Sequence, residues 1–183
     1  MLYDILLHHP EAFAAMLRGT PTWVWGLLAS LVALGASQLR DRTASLLRTS
    51  LVPVGMTAFS AWGMWSAFGS TPIGAEVLSV WIGVAVVVTA ALAPGRAAAT
   101  YDPARREYRM PGSVVPLLLI VGIFATKWLV GVQLAILPRL AADTAFALPV
   151  AAAYGVFNGL FAGRAARLWR LALRSGTAVP AHA

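Results

Sequence analysis

Lys127 is the residue of this sequence whose type and position most demand chemistry. It is the chain's only lysine, and it stands inside the apolar run Ser113 to Leu137, ten residues from that run's outer end. At helical rise that is roughly 15 Å deep, a long reach to either surface for a four-carbon stem. Ionisable side chains at such depth usually face a bundle interior or a wet cavity and take part in ligand or proton traffic. The seven acids, Asp4, Glu11, Asp41, Glu76, Asp102, Glu107 and Asp143, all fall in interfaces or loops, so no carboxylate shares the level of Lys127. Neutral polar groups do. Counting inward from the outer ends of the other runs brings Tyr154, Ser60 and Ser30 to its level, with Asn158 one turn deeper. These groups could hydrogen-bond an amine or line a water-filled pocket, and an amine there could exchange protons or receive an anionic ligand. The competing reading is structural, a lysine bonded to Tyr154 and to backbone carbonyls that only fixes helix register. A Schiff base of the retinal kind would want a carboxylate counter-ion that is missing.

Other chemistry has less support. His8 and His9, with Asp4 and Glu11, offer nitrogen and oxygen ligands, but adjacent histidines point to different faces, so no metal site is expected. A membrane b-type haem needs buried histidines on facing helices, and no apolar run contains one. The HExxH, GxSxG and P-loop patterns are lacking, so no catalytic residue and no cofactor is assigned. Met56 and Met64 read as packing or lipid-facing residues. With no cysteine, disulfides, thiolate metal sites and thiol redox relays are excluded.

The elements that must position Lys127 are transmembrane helices. Hydrophobic residues make up 59% of the 183 residues and charged ones 11%, and mean hydropathy is +0.74, too apolar for a domain with a polar surface. Five runs approach the length of a bilayer crossing: Thr22 to Leu39, Leu51 to Gly69, Val77 to Pro94, Ser113 to Leu137 and Thr144 to Gly163. Threading them through a membrane gathers eleven of the thirteen arginines on one face, leaving Arg18 and Arg139 on the other. The positive-inside rule makes the crowded face cytoplasmic, with the N-terminus outside and the C-terminus inside. The expected fold is therefore an all-α bundle of five transmembrane helices. A pI near 11.1 fits flanking arginines that meet anionic lipid, and no nucleic-acid partner is expected because there is no separate basic domain.

The opening residues, MLYDILLHHPEAFAAMLRG, have no basic n-region and are broken by Pro10, so residues 1–19 read as a retained amphipathic segment flat on the outer interface. Thr20 is expected to cap the first crossing and Pro21 to open it. Trp23, Trp25, Trp62, Trp65 and Trp81 all fall towards the outer face, as an interfacial belt. Between Gly95 and Gly112, the mixed charges Asp102, Arg105, Arg106, Glu107 and Arg109 could form a short helix or a hairpin.

The fifth run carries a packing signal. Ala151, Gly155, Gly159 and Gly163 repeat every fourth residue and give one flat face, for a helix of the same chain or of another copy or membrane protein. Beyond it Arg164, Arg167, Arg170 and Arg174 form a basic stripe expected against lipid headgroups. The helix should end near Gly176, with residues 175–183 a disordered tail after a membrane domain spanning 20–174.

The segments TPTWVWGLLASLVALGASQLRDRT at 20–43 and PGSVVPLLLIVGIFATKWLVGVQLAILP at 111–138 resemble the best-marked blocks of a family of small uncharacterised bacterial inner-membrane proteins, defined as a domain of unknown function. The resemblance runs from Thr20 to Arg174 and puts the segment from His8 to Arg18 outside the family pattern. It implies a helical membrane fold in the bacterial inner membrane, without an activity. Two functional readings follow: a small transporter or proton-linked protein with a polar site at Lys127, or an assembly partner packing through the glycine stripe.

Overall fold

In the computed structural model, which describes residues 17–177 apart from 96, 104 and 106, each apolar run becomes a helix bounded by proline, glycine or polar residues. Helix α1 is Thr22–Ala36, continued by a 3-10 turn over Ser37–Leu39. Strand β1, Arg42–Ser45, leads into α2, Leu46–Phe68, which turns back into α3, Gly74–Leu92. Strands β2, Thr100–Asp102, and β3, Glu107–Met110, precede α4, Val115–Ile136. A 3-10 turn, Pro138–Ala142, joins it to α5, Thr144–Thr177.

Four of these helices, α1 with its 3-10 turn, α3, α4 and α5, are long and apolar enough to cross a membrane. The remaining one, α2, has the length but carries Arg48, Thr49, Ser50, Thr57, Ser60 and Ser66. Its surroundings are apolar nonetheless. Leu51, Phe59, Trp62 and Trp65 of α2 are exposed, as are Leu27, Ile82, Val86, Val87 and Leu118 of the other helices. Large apolar side chains turned outward are what helices in hydrocarbon show, where exposing leucine costs little.

The tightest contact is between α3 and α5. Gly155 rests on the Trp81 carbonyl and Val84, Gly159 on Val88 and the Ala85 carbonyl, and Gly163 on Leu92. The glycine stripe is thus covered by a helix of the same chain, with Ala151 fully buried on the same face. Pro149 is accommodated inside α5 without ending it. Met64, Phe68, Val77, Trp81, Ala147, Ala151 and Tyr154 form the core where α2, α3 and α5 meet. On the far side α1 lies along α4, with Gly35 against Leu117.

The fold is mostly helical, as expected of an all-α bundle, with one small addition: β1, β3 and β2 form an antiparallel sheet in that order. Arg42 pairs with Met110 and Ser45 with Glu107, while Thr100 pairs with Arg109. The hairpin of β2 and β3 is one of the two forms anticipated for the 95–112 loop, whereas β1 has no local signal. Asp41 Oδ1 accepts the Gly112 N–H at 2.8 Å, and the Gln38 carbonyl accepts that of Ser113. Gly112 is required there, because any Cβ would run into the Leu39 carbonyl. Tyr108, fully buried, donates its hydroxyl to the Leu168 carbonyl at 2.8 Å and packs its ring on Tyr101, which seats the sheet on the end of α5. Burial pushes the Tyr108 phenol above its usual pKa, and the Tyr101 phenol adds to the shift.

At the start of α1 the cap position belongs to Pro21, with no side-chain cap bond. Thr20 instead accepts the Trp128 indole N–H at 3.0 Å. Trp81 is a core residue and not part of a belt, since it is nearly buried while Trp23, Trp62 and Trp65 are well exposed. Helix α5 runs to Thr177, one residue from the expected end near Gly176. Residues 178–183 and the first sixteen of the interfacial segment, His8 and His9 among them, lie outside the described residues.

Candidate functional site

Lys127 lies nine residues from the end of α4, about 14 Å along the helix axis. Its ammonium is held between two aromatic faces, 4.9 Å from the Phe59 ring centroid and 5.2 Å from that of Tyr154, distances at which a ring quadrupole attracts a cation. Opposite, α2 presents Gly63, where an added Cβ would stand 3.2 Å from Nζ. A side chain at 63 would crowd the amine, so the bare backbone makes its room. Helices α2, α4 and α5 therefore each supply part of one seat.

Beside the amine is a cavity of about 20 Å³ lined by Phe59, Ser60, Ile123, Lys127, Tyr154, Phe157, Asn158 and Phe161, room for about one water. Ser60 and Asn158 are the buried polar residues of the bundle's described part. Asn158 Nδ2 donates to Ser60 Oγ at 2.7 Å and to the Tyr154 carbonyl at 2.9 Å. Because a carbonyl can only accept, the second bond fixes which end of the amide is nitrogen. Both N–H donors are then engaged, and the Asn158 carbonyl oxygen is left as an acceptor. Ser60, accepting from Asn158, keeps its own O–H to donate. The site thus offers a cation, hydroxyl donors and an amide acceptor around one water-sized space. Among the described residues no carboxylate joins them, and no group of metal-ligating side chains forms anywhere.

Of the residues that depth alone selected, Lys127, Tyr154, Asn158 and Ser60 come together and Ser30 does not. Ser30 is on the exposed side of α1 and donates to its own helix at the Gly26 carbonyl, 2.9 Å away. The sequence reading missed Phe59, Gly63, Ile123, Phe157 and Phe161. A pattern for part of this was present, since Phe157 and Phe161 flank Asn158 at spacings of one and three, and Phe59 adjoins Ser60.

The basic stripe of α5 is not uniform. Arg167 Nε donates to the Leu92 carbonyl at 2.6 Å and Arg170 to the Ala93 carbonyl at 3.0 Å. These two guanidiniums cap the end of α3, satisfying carbonyls that the helix leaves open and meeting the negative end of its dipole. Arg164 is half-buried and Arg174 exposed. Trp169, between them, donates its indole N–H to Ser50 Oγ at 2.8 Å and ties the extension to the start of α2.

A model of a family of unknown function, DUF6622, matches residues 1–179. The chain belongs to that family. Because the match starts at residue 1, the segment from His8 to Arg18 is part of the family pattern, contrary to the expectation that it stands apart. No curated protein and no solved structure matches the chain. The four apolar helices agree with a membrane protein.

Proposed function

We propose that this chain is a five-span protein of the bacterial inner membrane, with its N-terminus outside and its C-terminus inside, and that Lys127 takes up and releases protons within the bilayer. The observation that carries the reading is an amine at mid-helix depth beside a cavity of about 20 Å³. A solute larger than water has no room there, whereas a proton needs only a chain of hydrogen bonds. Ser60, Asn158 and one water would give that chain its donors and acceptors. The crowding of arginines on the end that carries the sheet supports the orientation, and α2 supplies the fifth crossing because its polar Ser60 points inward to Asn158. Assembly through the glycine stripe has less support, since α3 of the same chain already occupies that face.

The test is proton flux into vesicles carrying an entrapped pH-sensitive dye under a potassium diffusion potential. Protein-dependent acidification should be seen with the natural chain and should fall to the level of empty vesicles with Lys127→Met, which keeps side-chain length and whose melting temperature in detergent should match that of the natural chain. Equal rates for the two proteins, or no flux above empty vesicles for either, would refute the proposal.

A further inference from the structure

We infer that the Ser60 hydroxyl is the relay through which protons reach Lys127, and that Asn158 is the positioning residue that holds this hydroxyl off its own helix. The inference deepens the proton-exchange reading of Lys127 and rests on it. Hydroxyls inside a helix commonly donate back to a carbonyl three or four residues earlier. Ser30 does so to Gly26, Ser66 to Gly63, Ser79 to Ala75, Thr89 to Ala85 and Thr126 to Gly122. Ser60 makes no bond of that kind among the described residues. Its Oγ instead accepts from Asn158 Nδ2 at 2.7 Å. The amide cannot turn away, because its second N–H is bound to the Tyr154 carbonyl at 2.9 Å. Asn158 thereby occupies one lone pair of Ser60 and leaves the O–H and the other lone pair for the cavity.

The amine is close by. Phe59 and Gly63, the residues of α2 beside the ammonium, stand one before and three after Ser60, and Ser60, Lys127 and Asn158 line the same cavity of about 20 Å³. One water fits there, and its hydrogen bonds close in both states of the amine. Beside a neutral amine it accepts from Ser60 and donates to Nζ and to Asn158 Oδ1. Beside an ammonium it accepts from Ser60 and from Nζ and donates to Asn158 Oδ1. Uptake then runs through Ser60. A hydronium gives a proton to the free lone pair of Oγ, the former hydroxyl proton passes to the cavity water, and that water gives one of its own protons to Nζ. One O–H bond forms and one breaks at Ser60 and again at the cavity water, one N–H bond forms, and the sum is amine plus hydronium to ammonium plus water.

Proton flux into vesicles, measured per folded protein, separates the relay from the role of Lys127. Ser60→Ala should lower the flux about a hundred-fold, the lower end of what a positioned proton-transfer group contributes, while Ser60→Thr, which keeps a hydroxyl, should retain most of it. Asn158→Leu should lose flux as Ser60→Ala does, because the freed hydroxyl falls back on its own helix. Asn158→Gln keeps the amide donors and should keep part of the flux. Ser66→Ala, at an exposed serine of α2 bonded to its own helix, should leave the rate unchanged. A natural rate in Ser60→Ala, or equal losses in Ser60→Thr and Ser60→Ala, would overturn the inference and leave Lys127 in place. If Ser60→Ala does not fold, a natural rate in Asn158→Leu overturns it equally. No flux above empty vesicles for the natural chain would remove the reading of Lys127 and the relay with it.

Discussion

Replacing Gly159 by alanine tests how the two central helices are held. An added Cβ would lie 2.5 Å from the Val88 Cβ and 2.9 Å from the Ala85 carbonyl oxygen. Neither neighbour is the flexible end of a side chain, and carbon atoms pack best at about 3.5–4.0 Å, so α3 and α5 must separate locally by about 1 Å. Overpacking of that kind costs about 1–3 kcal/mol. The same change also raises helix propensity by about 1 kcal/mol, which opposes the clash. Gly83, on the exposed side of α3, separates the two effects, because a Cβ there meets nothing within 4 Å. Gly83→Ala should therefore be neutral or stabilising, and Gly159→Ala should fall below it by about the full 1–3 kcal/mol of the clash. For a chain of this size each kcal/mol moves the melting temperature by roughly 2–4 °C, within reach of thermal unfolding followed by circular dichroism in detergent. The larger change Gly159→Leu should destabilise further without altering the mass of the protein in detergent, because the opposing surface belongs to the same chain. Equal melting temperatures for Gly83→Ala and Gly159→Ala would refute the packing argument, and a change of oligomeric mass in Gly159→Leu would show that the stripe also meets another copy.

Single cysteines introduced into this cysteine-free chain at Ile73, Pro103 and Ser175 should be labelled by an impermeant maleimide from outside at 73 only, and at 103 and 175 only after the membrane is opened; external labelling at 103 would reverse the proposed orientation. Tyr108→Phe removes the hydroxyl bonded to the Leu168 carbonyl and should cost about 0.5–1.5 kcal/mol in denaturant unfolding, the net worth of one hydrogen bond, because that carbonyl keeps its place in the backbone ladder of α5. The same tyrosine predicts a pH effect. Its folded pKa is raised above the ordinary 10.0, so its contribution is fully present below pH 10.0 and is lost as pH rises through the folded value, where the folded state binds more protons than the unfolded. Stability of the natural chain should thus fall more steeply above that pH than stability of Tyr108→Phe, and parallel curves would count against it.

The helices and the level of their polar residues along the axis are legible in the order of residues alone. Apolar runs near bilayer length with glycine and proline at their ends leave little choice, since backbone polar groups in hydrocarbon must bond within the segment. Depth follows from counting at 1.5 Å per residue, and Lys127, Tyr154, Ser60 and Asn158, close in depth, line one cavity. The small-residue repeat of α5 was also legible, because a period of four on a helix marks one face. Direction around each axis and the choice of partner are set when the helices pack on one another. Ser30 has the right depth but faces away, because the helix that α1 packs on is α4 and Ser30 lies on its exposed side. Trp81 has the depth of a belt residue yet turns into the core, and the glycine stripe found α3, a choice that one helix's periodicity does not contain. Strand β1 was invisible for a related reason: four residues, Arg42–Ser45, have no apolar alternation of their own and become a strand only because β3, more than sixty residues away, supplies the ladder. Depth and periodicity are properties of one segment, whereas rotation, pairing and a shared cavity are properties of two segments at once, fixed by which surfaces fit when the chain closes on itself.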